Sequence, residues 1–144
     1  MNQPFGSNVS SVLNQADFEN VACRAFDEGQ TVPQMLIAAC ERHADRRAFT
    51  NLDCSIRYAD INRLSADFAA FLRHAAGLQP GDRVAIMLPN LLQYPVALLG
   101  VLRADLVAVL VNPMYTAREV HHQLVDSGAT LLIVLEIFGA VAAE

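Results

Sequence analysis

Three short apolar runs constrain the fold of this chain more than any other feature. They are "RVAIMLP" (83–89), "LVAVLV" (106–111) and "TLLIVLE" (130–136), and helix-like segments separate them. Strands that alternate with helices imply a parallel sheet with right-handed crossovers. Because continuous apolar runs are typical of strands covered on both faces, we predict a βαβαβ unit with three buried strands.

Polar residues mark the ends of the two connecting helices. Asn90 is placed to cap a helix over residues 93–103. Thr116 and Glu119 have the spacing of a capping box, and Gly128 is typical of a C-terminal stop. The second connecting helix is therefore predicted to lie between Thr116 and Gly128.

The segment before the βαβαβ unit predicts a helix, a small hairpin and a second helix. Thr31 and Gln34 form a capping box for the first helix, and residues 48–58 contain two short strand-like runs. Apolar residues then recur at helical spacing over residues 61–75, and Gly77 ends that helix. Since residues 1–30 are weakly patterned, we predict an N-terminal arm there and one domain over 31–144.

Side-chain positions follow from the same periodicity. On the second helix we expect Phe71 on the buried face and Asn62 on the exposed face. Arg103 and Asp105 are interpreted as a solvated helix end. Asp82 is interpreted as a turn residue rather than a general base.

The charged residues exclude several classes of function. The net charge is −5, and all ten basic residues are arginines that form no basic patch, so we predict no nucleic-acid partner. The absence of lysine excludes a Schiff-base lysine and a P-loop lysine within this chain.

The cysteines and histidines indicate no metal site. Cys23, Cys40 and Cys54 contain no CxxC pair, which indicates a reducing cytoplasm, and Cys40 and Cys54 are interpreted as small apolar residues. His121 and His122 lie about 100° apart on a helix, so they do not face one small site. We expect one of the two to be half-buried and the other solvated.

The strand exit at Asn112, Pro113 and Tyr115 is the one candidate ligand position. Ligands of open α/β sheets bind beyond the carboxyl ends of the strands, so these residues could line a cleft. The alternative is that Pro113 ends the strand and that Asn112 hydrogen-bonds its own loop.

Several segments in order resemble AMP-forming acyl-CoA synthetases. They are "TVPQMLIAACERHADRRAFTN" (31–51), "PGDRVAIMLPN" (80–90), "QYPVALLG" (93–100), "NPMYTAREV" (112–120) and "HQLVDSGA" (122–129). Within that superfamily the chain resembles the N-terminal part of bacterial long-chain fatty-acid–CoA ligases. The resemblance implies an incomplete part of a larger adenylate-forming domain. The chain departs from the family at two places. The family usually has glycine at the position of Asp105 and a polar pair at the position of Leu110–Val111.

The resemblance implies an enzyme that joins ATP and a fatty acid into an acyl-adenylate and then passes the acyl group to coenzyme A, with Mg²⁺ accompanying ATP. The family's phosphate loop and catalytic lysine match no position of this chain. We therefore assign no catalytic, cofactor-binding or metal residue, and we expect the chain alone to be inactive.

Two hypotheses remain open for the chain itself. One is the front portion of such a ligase in the cytoplasm, with peripheral contact at the inner membrane face implied by the resemblance. The other is a stand-alone acyl-binding or protein-interaction module. The hydrophobic content of 53% indicates either strands covered on both faces or an apolar surface that awaits a partner. The first hypothesis also predicts an incomplete sheet with an unpaired edge that is prone to self-association through exposed apolar surface.

Overall fold

A helix and a β-hairpin precede the parallel sheet, in the order that the sequence predicts. The structure, a computed structural model, describes residues 29–140. Nearly all of these residues belong to the compact unit Val32–Glu144. The arm predicted for residues 1–30, with Cys23, lies outside the described residues except for Gly29 and Gln30.

The elements are α1 (Val32–Arg42), β1 (Arg47–Asn51), β2 (Cys54–Arg57), α2 (Tyr58–Ala70), β3 (Arg83–Met87), α3 (Gln93–Arg103), β4 (Val107–Leu110), α4 (Ala117–Ser127) and β5 (Leu131–Val134). A π-helical turn, Phe71–Ala75, extends α2, and a 3₁₀ turn, Glu136–Phe138, follows β5.

The predicted parallel sheet is confirmed, with the strand order β4-β3-β5. Val84 on β3 pairs with Ala108 on β4 and with Leu131 on β5. The predicted hairpin is confirmed as the antiparallel pair β1 and β2.

The prediction of three buried strands is correct only for β3. Four of its five residues, Val84–Met87, have no exposed surface. β4 and β5 are only partly buried, and Val107 and Leu110 of β4 are exposed. The reason is position: β3 has a strand on each side and helices on both faces, whereas β4 and β5 each have one neighbouring strand in the described part of the chain.

Alternate residues of β3 face two separate apolar clusters. Val84 and Ile86 pack with Leu72 and Val101, below α2 and α3. Ala85 and Met87 pack on the other face with Val120 of α4 and with its neighbours. Side chains of a strand alternate between faces, so one four-residue run supplies the centre of both layers.

Helix boundaries follow the predictions with two differences. α3 spans the predicted residues, but its N-cap residue is Leu92 and no side chain caps it. Asn90 lies too early, and its carbonyl oxygen instead accepts a 2.7 Å hydrogen bond from Asn51 Nδ2 of the hairpin. Phe71, predicted to be buried, is 54% exposed because Leu72 takes the core position on that turn.

Two glycines end helices as predicted, and a capping box begins α4 as predicted. Gly77 and Gly128 have φ values of 74° and 64°, the left-handed region that a C-terminal stop uses. The Thr116–Glu119 capping box is present at the start of α4. α1 begins at Val32, next to the predicted cap Thr31, whose capping box with Gln34 stays a prediction. Over residues 29–140, no helix combines the length and apolarity needed to cross a bilayer.

Candidate functional site

The strand exit after β4 forms a turn that is held by Asn112 itself. Its Oδ1 accepts the Met114 N–H at 2.9 Å, and its main-chain oxygen accepts the Tyr115 N–H at 3.1 Å. This is the loop-bonding alternative that the sequence predicted for Asn112. The Asn112 side chain therefore holds its own loop.

Tyr115 lines a cavity that Asn112 and Pro113 do not line. It borders an open cavity of about 530 Å³ along one side of α4. The other residues that line this cavity are Arg118, Glu119, His122, Gln123 and Asp126. Since neither Asn112 nor Pro113 is among them, this cavity does not bring the three predicted residues together.

Glu119, which lines this cavity, accepts two hydrogen bonds at the start of α4. Its Oε2 accepts the Thr116 N–H at 2.8 Å and the Thr116 hydroxyl at 2.7 Å. These two hydrogen bonds, that from the backbone first, lower the pKa of the Glu119 carboxyl. The carboxylate is thus engaged in holding the start of α4.

The two histidines on α4 are both exposed, so the prediction of one half-buried histidine is wrong. The helix turns Val120 and Leu124 toward the sheet, which leaves His121 and His122 on its outer side. His122 lines the cavity and His121 does not. In residues 29–140, no group of three histidine, cysteine or acidic side chains is placed to hold a metal ion.

A second cavity, of about 550 Å³, is an apolar groove between α2, α3 and the end of β5. Phe68, Phe71 and Ile133 are among its walls, and the rings of Phe68 and Phe71 stack with centroids 6.1 Å apart. Asp67 and Gln93 bring the only polar side chains among the described residues that line it. Sequence periodicity did not reveal this groove, because its walls come from three elements far apart in the chain.

A polar cluster joins α2 to α3 where the sequence predicted two solvated side chains. Arg103 Nη1 lies 2.6 Å from Asn62 Oδ1 and 3.2 Å from Ser65 Oγ. Ser65 has no exposed surface, and its hydroxyl also donates to the Asn62 carbonyl oxygen at 3.1 Å. Arg103 ends α3 as interpreted, but it is half-buried and not solvated, because the buried Ser65 and the half-buried Asn62 give it hydrogen-bond partners.

Two cysteines in the described part of the chain have opposite environments. Cys40 is buried, and burial raises the pKa of its thiol against the opposing effect of the nearby Arg103 charge. Cys54 on the hairpin is exposed, and its interpretation as a small apolar residue stays a prediction. β2 packs only Ile56 toward the core and leaves Cys54 at the turn.

The aspartates at the two tight turns have structural contacts. Asp82 Oδ2 accepts the Gln79 N–H at 2.7 Å, which confirms its role as a turn residue. Asp105 has a φ of 59°, and its carboxylate lies 3.7 Å from Arg73 Nη1. The left-handed backbone explains why glycine is the expected residue at that position.

Comparison with known proteins assigns this chain to a family. The family model described as "AMP-binding enzyme" matches residues 36–144. The chain belongs to this family. Among curated members of the AMP-binding enzyme family, the long-chain-fatty-acid–CoA ligase of Salmonella typhimurium is 47% identical over 112 residues, which cover 78% of this chain and 20% of that protein.

Solved structures agree with this assignment. A benzoate CoA ligase from Burkholderia xenovorans superposes with a TM-score of 0.73 at 25% identity, over 77% of this chain and 22% of the ligase. The N-terminal subdomain of Klebsiella oxytoca NpsA superposes with a TM-score of 0.69 at 26% identity, over 75% of this chain and 28% of that chain. The chain thus spans about a fifth of the length of the curated relatives and matches their N-terminal region.

Proposed function

We propose that this chain forms the first part of the large domain of an AMP-forming long-chain fatty-acid–CoA ligase. The supporting observation is the 47% identity to the Salmonella typhimurium ligase. In the proposed reaction, a fatty-acid carboxylate attacks the α-phosphate of ATP, pyrophosphate leaves, and an acyl-adenylate forms. The thiol of coenzyme A then attacks the acyl carbon, AMP leaves, and acyl-CoA is released.

The residues of this chain are proposed to act as scaffold in that reaction. β3 is buried on both faces, and the Arg103–Asn62 contact joins the two helices on one of them. A rigid sheet of this kind positions the loops that follow its strands. The chain contains no lysine, so any step that needs a lysine is assigned to other parts of the ligase. The main contacts to ATP, Mg²⁺ and coenzyme A are assigned to those parts as well.

A chimeric enzyme tests the proposal. Residues 36–136 of this chain replace the matching segment of the Salmonella typhimurium ligase, and acyl-CoA formation from palmitate, ATP and coenzyme A is measured. We expect the chimera to keep activity, because a correct scaffold supports the loops of the host. A chimera that folds, as shown by its melting curve, but forms no acyl-CoA would contradict the proposal.

The isolated chain is the matched negative control. With palmitate and ATP it should show no exchange of labelled pyrophosphate into ATP above background. Exchange that depends on fatty acid would show that the chain holds an adenylation site, which the proposal denies.

The apolar groove favours a second candidate function, binding of an acyl chain by this chain itself. Its walls are apolar apart from Asp67 and Gln93, as expected of a lipid site. Titration with a fluorescent fatty acid tests it, with Phe71→Ser as the variant. Saturable binding that the substitution weakens supports this function, and a flat titration removes it.

The proposed location is the cytoplasm, with peripheral contact at the inner membrane face, where fatty acids partition. The support is the chemistry of the cysteines, which include no CxxC pair. Fractionation of cells that express the ligase, with and without a high-salt wash, tests the location. Release of the protein by salt is expected, and retention after the wash would contradict peripheral contact.

A further inference from the structure

The strand order places the topological switch point of the sheet beside β3. The chain passes from β3 to β4 on one side, and α4 then carries it across the opposite face of the sheet to β5 on the other side. Because β3 pairs on both sides, a strand added at either edge leaves this point where it is. Open α/β sheets bind ligands beyond the carboxyl ends of the strands at such a point. The exit of β3 is therefore a stronger ligand position than the exit of β4, where Asn112 lies.

The loop that leaves β3 has an apolar composition. This exit loop comprises residues 88–92, with the sequence "LPNLL", and it contains no charged residue and no glycine. Phosphate sites in loops need charged side chains or main-chain N–H groups that glycine leaves accessible. Apolar side chains instead line the sites of apolar ligands. Among the substrates of a fatty-acid–CoA ligase, the exit loop therefore suits the acyl chain and not the phosphates of ATP or coenzyme A.

Asn51 at the end of β1 holds the exit loop from outside. Its Nδ2 donates a 2.7 Å hydrogen bond to the main-chain oxygen of Asn90, at the centre of the loop. The main-chain hydrogen bonds of the loop are local: the Leu91 N–H donates to the Pro89 oxygen at 2.8 Å, and the Tyr94 N–H donates to the Leu91 oxygen at 3.1 Å. The Asn51 amide thus links the loop to a part of the fold 39 residues earlier in the chain.

The hairpin that carries Asn51 is itself fixed to the rest of the fold. Asn51 pairs with Cys54 across the hairpin, and Ile56 of β2 packs against the cluster between α1, α2 and α3. The Tyr58 N–H donates to the Arg46 oxygen at 3.1 Å and closes the base of the hairpin. The fold therefore sets the position of Asn51 independently of the exit loop, so its amide can set the position of the loop.

We propose that Asn51 is a positioning residue for the fatty-acid substrate and acts through the exit loop. The inference rests on the proposed function. The Asn51–Asn90 hydrogen bond keeps the exit loop in the position in which its apolar side chains contact the acyl chain. Loss of this hydrogen bond weakens the binding of the fatty acid and leaves the binding of ATP and coenzyme A unchanged, because the loop does not contact their phosphates.

Steady-state kinetics of the chimera, with residues 36–136 of this chain in the Salmonella typhimurium ligase, test the inference. Asn51→Asp keeps the shape of the side chain but replaces the donor with a carboxylate, which repels the Asn90 oxygen. We expect the KM for palmitate to rise about tenfold, the effect of one lost hydrogen bond. The kcat and the KM values for ATP and coenzyme A should stay unchanged, since the loop contacts the acyl chain equally before and during the reaction. Asn51→Gln keeps an amide donor and should return the KM for palmitate toward that of the parent.

Thr50→Ala is the matched control on the same strand. The Thr50 hydroxyl lies 2.9 Å from Ser55 Oγ within the hairpin, so its loss should not change the KM for palmitate. Melting curves establish that each variant folds, and if Asn51→Asp does not, Asn51→Ala removes the donor without adding a charge and is judged by the same expectations. An active chimera whose KM for palmitate is insensitive to loss of the Asn51 donor, or whose three KM values rise together, would overturn the inference and leave the proposed function in place. A folded but inactive chimera would contradict the proposed function, and this inference with it.

Discussion

Arg103 on α3 donates a 2.6 Å hydrogen bond from Nη1 to Oδ1 of Asn62 on α2. The same nitrogen lies within hydrogen-bonding distance of the buried Ser65 hydroxyl. One guanidinium therefore satisfies the polar side chains at the contact between the two helices that cover one face of the sheet. The contact explains how an apolar domain keeps two polar residues at a helix interface.

Replacing Arg103 with alanine should destabilise the fold by about 1–3 kcal/mol, because the half-buried Asn62 and the buried Ser65 lose their charged donor. Urea denaturation measures the loss. Arg63→Ala is the control, since its exposed pair with Asp67 contributes at most about 1 kcal/mol. Equal effects of the two substitutions would show that the Arg103 cluster is no more than a surface contact.

Gly100 marks the closest approach of α3 to α2. A Cβ at this position would lie 2.7 Å from Phe68 Cδ1 and 3.2 Å from the Ser65 main-chain oxygen. Gly100→Ala should therefore lower the free energy of unfolding by about 1 kcal/mol, since overpacking outweighs the gain in helix propensity. Gly139→Ala, where a Cβ meets nothing within 4 Å, is the matched control. A rise in stability for Gly100→Ala in thermal unfolding would contradict this close packing.

Asp105 holds the turn into β4 in a left-handed conformation, with a φ of 59°. Asp105→Gly should raise the free energy of unfolding by about 0.5 kcal/mol, because glycine adopts this conformation without the Cβ clash. The lost ion pair with Arg73 is solvent-exposed and weak. Asp105→Ala keeps the clash and should lower stability. Differential scanning calorimetry compares the three, and an alanine variant as stable as the glycine variant would remove backbone strain as the cause.

The capping box of α4 should give a pH-dependent contribution to stability. Since the Glu119 pKa is lowered in the folded chain, its contribution is complete above the ordinary pKa of a glutamate and is lost as the pH falls through the folded value. Glu119→Gln keeps the shape but not the charge. The difference in urea midpoint between parent and variant should be present at neutral pH and vanish in acid. A difference that is constant over this range would show that the charge is not involved.

Elements with strong local signals were predictable from the sequence. The capping box at Thr116 and Glu119 and the left-handed stop at Gly128 match, because each depends on residues within one turn of each other. The bounds of α3 also match, although its predicted cap does not. The resemblance to AMP-forming ligases also came from contiguous segments, and the family match confirms it. The absence of catalytic residues from this chain stays a prediction.

Errors arose where a residue's surroundings come from elsewhere in the chain. Asn90 bonds the hairpin instead of capping α3. Asn112, Pro113 and Tyr115 are neighbours in sequence, but the Asn112 turn directs Tyr115 alone to the cavity beside α4. Pattern within a segment does not carry this information, since the partners lie in other elements.

The sequence by itself determined the alternation of strands and helices, and therefore the parallel sheet, because apolar periodicity and helix caps are local properties of the chain. Only the tertiary structure decided which strand is central. β3 is buried because β4 and β5 lie on either side of it, whereas the equally apolar β5 keeps a free edge in the described part of the chain. It also decided that the half-buried Arg103 is a donor across the helix contact, since a guanidinium is stable there only where polar partners such as Asn62 and Ser65 meet it.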